Sequence, residues 1–307
     1  MILLRRHMAG GERQVLAILG LGLIGQAILA ATRRHCAFDE VSLPISWTDT
    51  ALRRDQLAAV LTAIGSRDHP PARIDIVWSA GRAGFGARQD ELAAEEEPFL
   101  DILALADRLV DIAPKARHGF HLMSSAGGLF EGCRLVDATT EPSPRRHYGI
   151  AKVRQETLVK AMRPEIASFI YRPSSTYGLS DGTARLSLIN VLIANALNKK
   201  VSHLFGDQTT LRDYIQAGDI GSFVAGRLVG HAPNPGTFLL ASGRATALQA
   251  IVHLVEAALG TRLLLRIDPR PSNAEHMSFR PAALAPGFVA TDLATGIRQM
   301  AQRHLYC

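Results

Sequence analysis

The 307-residue sequence predicts an α/β protein built on a doubly wound parallel sheet, and three observations carry that expectation. Short apolar runs alternate with helical patterns along the chain. A glycine-rich turn stands between the first buried strand and the first helix. Nearly half of the residues are apolar (47%) and only 20% are charged, the balance of a chain that folds around a core, and no internal repeat or low-complexity tract interrupts the alternation.

Each element follows in order. The opening "MILLRRHMAGGERQ" has a very short apolar patch with arginines after it, the wrong order for a signal peptide, and reads as a loose tail. "VLAIL" (15–19) is a short apolar run expected as a buried parallel strand, followed by a helix from Leu23 to about Arg34. A strand is expected near "LPISW" (43–47), a helix from about Ala51 to Ile64, and a strand at "IDIVWSA" (74–80). A loop rich in Gly, Arg and Glu leads into the helix "PFLDILALADRLVDI" (98–112). The strand "FHLMSS" (120–125), a helix around Tyr148 and the strand "ASFIYRP" (167–173) complete the pattern. Such a sheet places its ligands at the carboxyl ends of the strands.

Composition narrows the function. The net charge is +6, but the arginines are scattered in ones and twos and are not interleaved with aromatics, so no nucleic-acid partner is expected. A small phosphorylated ligand explains a modest positive balance equally well. The three cysteines (Cys36, Cys133, Cys307) are odd in number and far apart, which argues against a disulfide framework and suits a reducing cytoplasm. No apolar run approaches the roughly 18 residues of a spanning helix, so no membrane role is expected. His118 and His121 stand at an odd spacing on a strand and point to opposite faces, and no metal site is expected. The acidic run Glu95–Glu97 reads as a solvated helix start.

"AILGLGLIGQAIL" places Gly20, Gly22 and Gly25 in a G-x-G-x-x-G spacing between strand and helix. Small residues permit the tight turn and bring the backbone close to a pyrophosphate, and the helix N-terminus offers free N–H groups with a partial positive charge. Leu23 and Ile24 of the same turn, with Ala80 and Gly81 at the end of "IDIVWSA", complete the expected cofactor-binding set. Asp49 is the acidic candidate for the adenosine ribose, or else an N-cap for the next helix. Arg53 and Arg54 stand close by and suit a 2′-phosphate, so NAD is the expected cofactor with NADP as the alternative.

"HLMSSAGGLFEG" puts Ser124 and Ser125 at the carboxyl end of a strand, and Tyr148 follows Ser125 by 23 residues. Tyr148 and Lys152 are four apart and share one helical face. Read alone, each stretch is an ordinary turn or helix surface.

Together these motifs resemble an extended short-chain dehydrogenase/reductase of the NAD-dependent epimerase/dehydratase family, which acts on nucleotide sugars. Gly22 and Gly25 match the family's last two glycines, its usual first glycine falling on Leu19, and Ser125, Tyr148 and Lys152 match its Ser or Thr and Tyr-x-x-x-Lys. The likeness continues through "YRPSSTYG", with Ser175 where asparagine is usual, "LFGDQTTLRDYIQAGDI", "TFLLASGRATAL" and "GFVATDLATGI". It covers about Val15 to Arg298.

The resemblance implies a Rossmann-type domain over residues 1–180, receiving further strands from about 201–242. It also implies a smaller C-terminal, mainly substrate-binding lobe over 181–307, with the helix "ARLSLINVLIANALNKK" (184–200) in it. A free tyrosine, with a pKa of about 10, is a poor base, and a neighbouring ammonium favours its phenolate. Tyr148 is then the base, Lys152 its cation and ribose partner, and Ser125 the hydrogen bond to the reacting sugar oxygen, with Ser124 and Ser175 beside the substrate. Arg212 is either the diphosphate partner or a salt bridge to Asp213 or Asp219. Family dehydratases carry Asp-Glu after the catalytic residue, whereas Ala126 and Gly127 stand here, so an epimerase is expected, with a ketoreductase as alternative. A cofactor-binding sensor without turnover is the reading from another class. The nucleotide sugar is the expected partner, and a homodimer is compatible with the resemblance.

Overall fold

The structure, a computed structural model, describes the chain except for residues 9–10, 66–69, 83, 85, 180–186, 231–233, 269–274 and 307, with 305 and 306 described by backbone alone. Its first half comprises β1 (Ile2–His7), β2 (Arg13–Leu19), α1 (Leu23–His35), β3 (Asp39–Ser42), α2 (Thr50–Ile64), β4 (Arg73–Trp78), α3 (Gln89–Ile112) and β5 (Arg117–Met123). The short α4 (Ala126–Leu129), α5 (His147–Lys160), β6 (Ile166–Pro173), β7 (Ser175–Tyr177), α6 (Leu188–Leu197) and β8 (Ser202–Phe205) follow. The rest is β9 (Leu211–Arg212), β10 (Tyr214–Gln216), α7 (Ala217–Val229), β11 (Gly236–Leu240), β12 (Thr246–Ala247), α8 (Leu248–Leu259), β13 (Leu265–Asp268) and α9 (Leu293–Tyr306).

Seven strands form the central sheet in the order β11-β6-β5-β4-β2-β1-β3. From β11 to β2 the neighbours run parallel, while β1 is antiparallel to both β2 and β3. Val15, Ala17, Leu19, Ile76 and Trp78 pack on one face with Leu57 and Val60 of α2 and Phe99 and Ile102 of α3. Leu16, Ile18, Val77 and Phe169 pack on the other with Ile28 of α1 and Ile220 and Phe223 of α7. Helices on both faces of a mostly parallel sheet are the doubly wound arrangement. A separate apolar cluster joins α6, α8 and α9 through Ile193, Ile251 and Ile297. Of the strands between 201 and 242, β11 joins the central sheet and β8 pairs instead with β13. Among the described residues no helix is long and apolar enough to cross a membrane.

A buried polar chain crosses the α1–α7 face of the sheet. His121 on β5 meets the Tyr171 hydroxyl on β6 through Nδ1 at 3.0 Å and Asp75 on β4 through Nε2 at 3.2 Å. Gln14 on β2 donates to Asp75 at 2.8 Å, and Arg73 pairs with the same carboxylate at 2.8 Å. Burial pushes the His121 imidazole below its usual range. Burial also pushes the Asp75 carboxyl up, but the hydrogen bond of His121, the charge of Arg73 and the Gln14 amide outweigh it and hold Asp75 low. His118, from the opposite face of β5, contacts the Ala113 carbonyl at 2.9 Å.

Three sequence expectations are corrected. Residues 2–7 are a strand and not a loose tail, because Ile2, Leu3 and Leu4 are buried on both faces between β2 and β3. The strand expected near 43–47 lies earlier, at β3, whose four exposed residues carry no apolar run. Pro44, inside the expected strand, has no N–H to give to a ladder. Helix α3 begins at Gln89 and carries Pro98 inside it, so Glu95–Glu97 are interior helix positions and not a solvated start.

Candidate active site

The glycine turn is shaped by contact with the next strand. Gly20 has φ +87°, and a Cβ there would collide with the backbone of Ala80. A Cβ at Gly25 would collide with the Gly20 carbonyl, so α1 sits directly on the turn. Ser79 fixes the junction by donating from Oγ to the carbonyls of Leu19 (3.0 Å) and Gly20 (2.7 Å). Gly22 differs from both. It is the N-cap of α1 with φ −75°, no side chain caps the helix, and a Cβ there meets nothing within 4 Å. The space in front of this helix end is therefore open, as a pyrophosphate-binding turn requires. Leu23 opens the helix and faces Gly178.

Two glycines set the second half of the site. A Cβ on Gly149 would collide with the Gly128 carbonyl, and one on Gly128 would lie 3.0 Å from Cδ1 and Cε1 of Tyr148. Absence of both side chains lets α5 rest on α4, which carries the Tyr148 ring to the end of β5. Ser125 caps α4, its Oγ accepting from the Gly128 N–H at 3.1 Å. Lys152 Nζ donates to the Met123 carbonyl at 3.1 Å and to Gln155 Oε1 at 3.0 Å, and stands 5.8 Å from the centre of the Tyr148 ring.

A cavity of about 320 Å³ joins the two halves; Ile24, Ala80, Gly81, Ser124, Tyr148 and Lys152 all line it. Gly20, Gly22, Leu23 and Gly25 form the turn behind Ile24, and Ser125 the turn beside Ser124. The Ser124 hydroxyl is itself engaged, donating to Glu156 Oε1 at 2.6 Å, and Arg172 grips the same carboxylate at 2.7 and 2.9 Å.

Asp49 is not among the residues that line this cavity. It caps α2, accepting from the Leu52 N–H at 3.0 Å. Arg53 is fully buried and held by Asp101 at 2.6 Å and Glu97 at 3.4 Å, which removes it from any phosphate, while Arg54 is exposed.

Arg212 is free of both expected salt bridges. Asp213 accepts from Ser174 (2.6 Å), from Ser242 and from the Arg244 N–H, while Asp219 accepts from Thr291. Arg212 Nη1 is buried without a partner among the described residues. Burial lowers its pKa, against the nearby charges of Tyr214 and Glu131, which act to raise it. Ser175 lies on β7 and pairs with Tyr214 in the ribbon that follows Arg212.

Sequence reasoning missed Gln155, Gly128, Gly149 and Glu95. Gln155 faces Lys152 at the i+3 spacing. Glu95 accepts from the Arg82 N–H and lies beneath Gly81 (φ +140°) in the cavity wall. Its signal was the acidic run, hidden by the start assigned to α3. Among the described residues no three His, Cys, Asp or Glu side chains are grouped to hold a metal ion.

A doubly wound sheet with a glycine turn opening its first parallel βα unit is the dinucleotide-binding class of fold. The profile of the NAD dependent epimerase/dehydratase family matches residues 22–230, and the chain belongs to that family. No curated protein matches it in sequence. In fold it is similar to the UDP-glucose 4-epimerase of Thermus thermophilus, solved with NAD (TM-score 0.74, 16% identity, covering 94% of this chain and 98% of that one). The UDP-glucose-4-epimerase of Stenotrophomonas maltophila, with bound NAD and formylated UDP-arabinopyranose, gives 0.72 at 19% identity, covering 95% and 98%. The ADP-L-glycero-D-manno-heptose-6-epimerase of Helicobacter pylori gives 0.70 at 17%, covering 98% and 99%.

Proposed function

We propose that this chain is a nucleotide-sugar epimerase that works with bound NAD and uses Tyr148 as its base. The observation that carries the reading is the shared cavity, which Tyr148 and Lys152 line together with Ile24 of α1 and the turn that follows β4. The open position at Gly22 suits the pyrophosphate of a dinucleotide. The burial of Arg53 favours NAD over NADP, since it withdraws one of the two 2′-phosphate candidates. When bound, the dinucleotide supplies a hydride acceptor and then a donor, so that a sugar carbon is oxidised and reduced again on its other face. Tyr148 takes the proton of the hydroxyl on that carbon and later returns it, the Lys152 ammonium favouring the phenolate. Ser125, whose oxygen accepts from Gly128, keeps its own O–H to donate to the reacting oxygen. Arg212 offers its unpartnered edge to the diphosphate, with Ser175 nearby.

Dehydration is not part of the proposal. It needs acid and base groups beside the oxidised carbon, and Ala126 and Gly127 are buried in α4 and can supply neither. A reducing cytoplasm is supported by the free Cys36 and Cys133. The test is incubation with a panel of nucleotide sugars, with and without NADPH, followed by mass and NMR. An epimer of unchanged mass formed without NADPH is expected. A product two hydrogens heavier, formed only with NADPH, replaces the epimerase by a ketoreductase, one lighter by water makes the chain a dehydratase, and no product from any sugar removes all three.

A further inference from the structure

We propose that Gln155 is a positioning residue for Lys152, holding the ammonium with an uncharged acceptor so that its charge acts undiminished on Tyr148. The inference rests on the reading of Tyr148 as the base. Two of the three N–H groups of Lys152 Nζ are taken by neutral oxygens, the Met123 carbonyl at the end of β5 and the Gln155 amide one turn along α5. They orient the ammonium without cancelling it. A carboxylate in either place would make an ion pair, and the field at Tyr148 would fall.

Lys152 has a carboxylate at hand. Glu156 stands at i+4, the spacing at which a lysine ordinarily finds an acid. Its oxygens are held by the Arg172 fork at 2.7 and 2.9 Å and by Ser124 at 2.6 Å, and its residue is buried, 3% exposed. Ser124 thereby helps to draw the acid away from the ammonium. The other charged groups around the cavity are Glu95 and Glu96 on α3 and His147 and Arg154 on α5. Glu96 is paired with Arg154 at 2.6 Å and Glu95 accepts from the Arg82 N–H. The ends of β4 and β5 contribute Ser79, Met123 and Ser124, none of them charged. Gln155 thus gives Lys152 a side-chain anchor where each nearby acid already has a partner of its own.

The test compares Gln155→Glu and Gln155→Met with the parent protein, following the ultraviolet absorbance of phenolate from neutral to alkaline pH. Tyr148→Phe identifies which part of the signal belongs to Tyr148. Burial helps here, since it pushes Tyr171 and Tyr177 far up and Tyr214 up to about 12, so these three rings stay protonated over the range used. In Gln155→Glu the Tyr148 signal should move to higher pH by about one unit or more, a tenfold loss of phenolate at a given pH. Gln155→Met, which removes the acceptor without adding charge, should move it clearly less. A Gln155→Glu signal superimposed on that of the parent overturns the inference, and so does an equal shift in both variants, which would mark a merely structural effect. If Gln155→Glu does not fold, Gln155→Met decides through turnover on whichever sugar the panel yields. A loss of about tenfold with KM kept supports positioning, and parent-like turnover overturns it. Full turnover by Tyr148→Phe would remove the base reading alone, leaving the titration to judge Gln155.

Discussion

At the residue scale, the two cavity halves ask for opposite kinds of substitution. Tyr148→Phe keeps the ring that rests against Gly128 and removes only the hydroxyl, so the fold should survive while turnover falls at least about a hundredfold, measured on the accepted sugar. Gly22→Val adds a side chain where the protein itself has only open space and an ordinary backbone angle. Its melting temperature without cofactor should fall only slightly, by the cost of valine at a helix N-cap, while NAD binding by calorimetry should be lost. Gly20→Ala should do the reverse of a clean probe and destabilise the apoprotein, because φ is +87° and the Ala80 backbone is in the way. The order of Ser124, Tyr148 and Lys152 along the chain was legible, and the structure brings the three to one cavity. Gln155 was not legible, because an amide three residues from a lysine has no meaning until the strand-end carbonyl of Met123 closes the other side.

At the scale of elements, legibility followed apolar contrast. The buried strands β2, β4, β5 and β6 and the helices α1 and α2 lie where the alternation placed them, since each carries a run or a stripe that faces a core. β3 did not, having no buried residue, and α3 was cut short because Pro98 mimics a helix start, where its missing N–H goes unnoticed. Asp49 was left between two roles, and one variant separates them. Asp49→Ala should cost about 1 kcal/mol of stability, the usual value of a lost N-cap, read by urea denaturation. NAD affinity should stay within about twofold of the parent. A tenfold or greater loss of affinity would return Asp49 to the ribose.

For the whole molecule, the polar chain through the sheet sets the response to acid. His121 is held neutral by burial, so below about 6.5 the unfolded chain binds a proton that the folded chain refuses. Stability should then fall with pH at about 1.4 kcal/mol per unit from this group. Asp75 adds a second loss further down. Its stabilisation is present above about 3.9, the unfolded value, and disappears as the pH falls through its lower folded value. Urea midpoints measured across mildly acidic buffers check the first loss. A His121→Gln variant, less stable overall, should show a flatter slope between pH of about 6.5 and 5, having no imidazole to charge.

The place of β1 has a consequence for truncation. This strand lies inside the sheet, with β2 on one side and β3 on the other, and a methionine, Met8, follows it directly. A product begun at Met8 would keep every residue of the cavity and lack the strand that joins β3 to the rest. The ladder groups of β2 from Arg13 to Ile18 would then lie bare along an apolar edge, an invitation to strands of other chains. The shorter product should collect in the insoluble fraction, where the chain that keeps β1 does not, so an internal start at Met8 would act on this protein as a solubility switch.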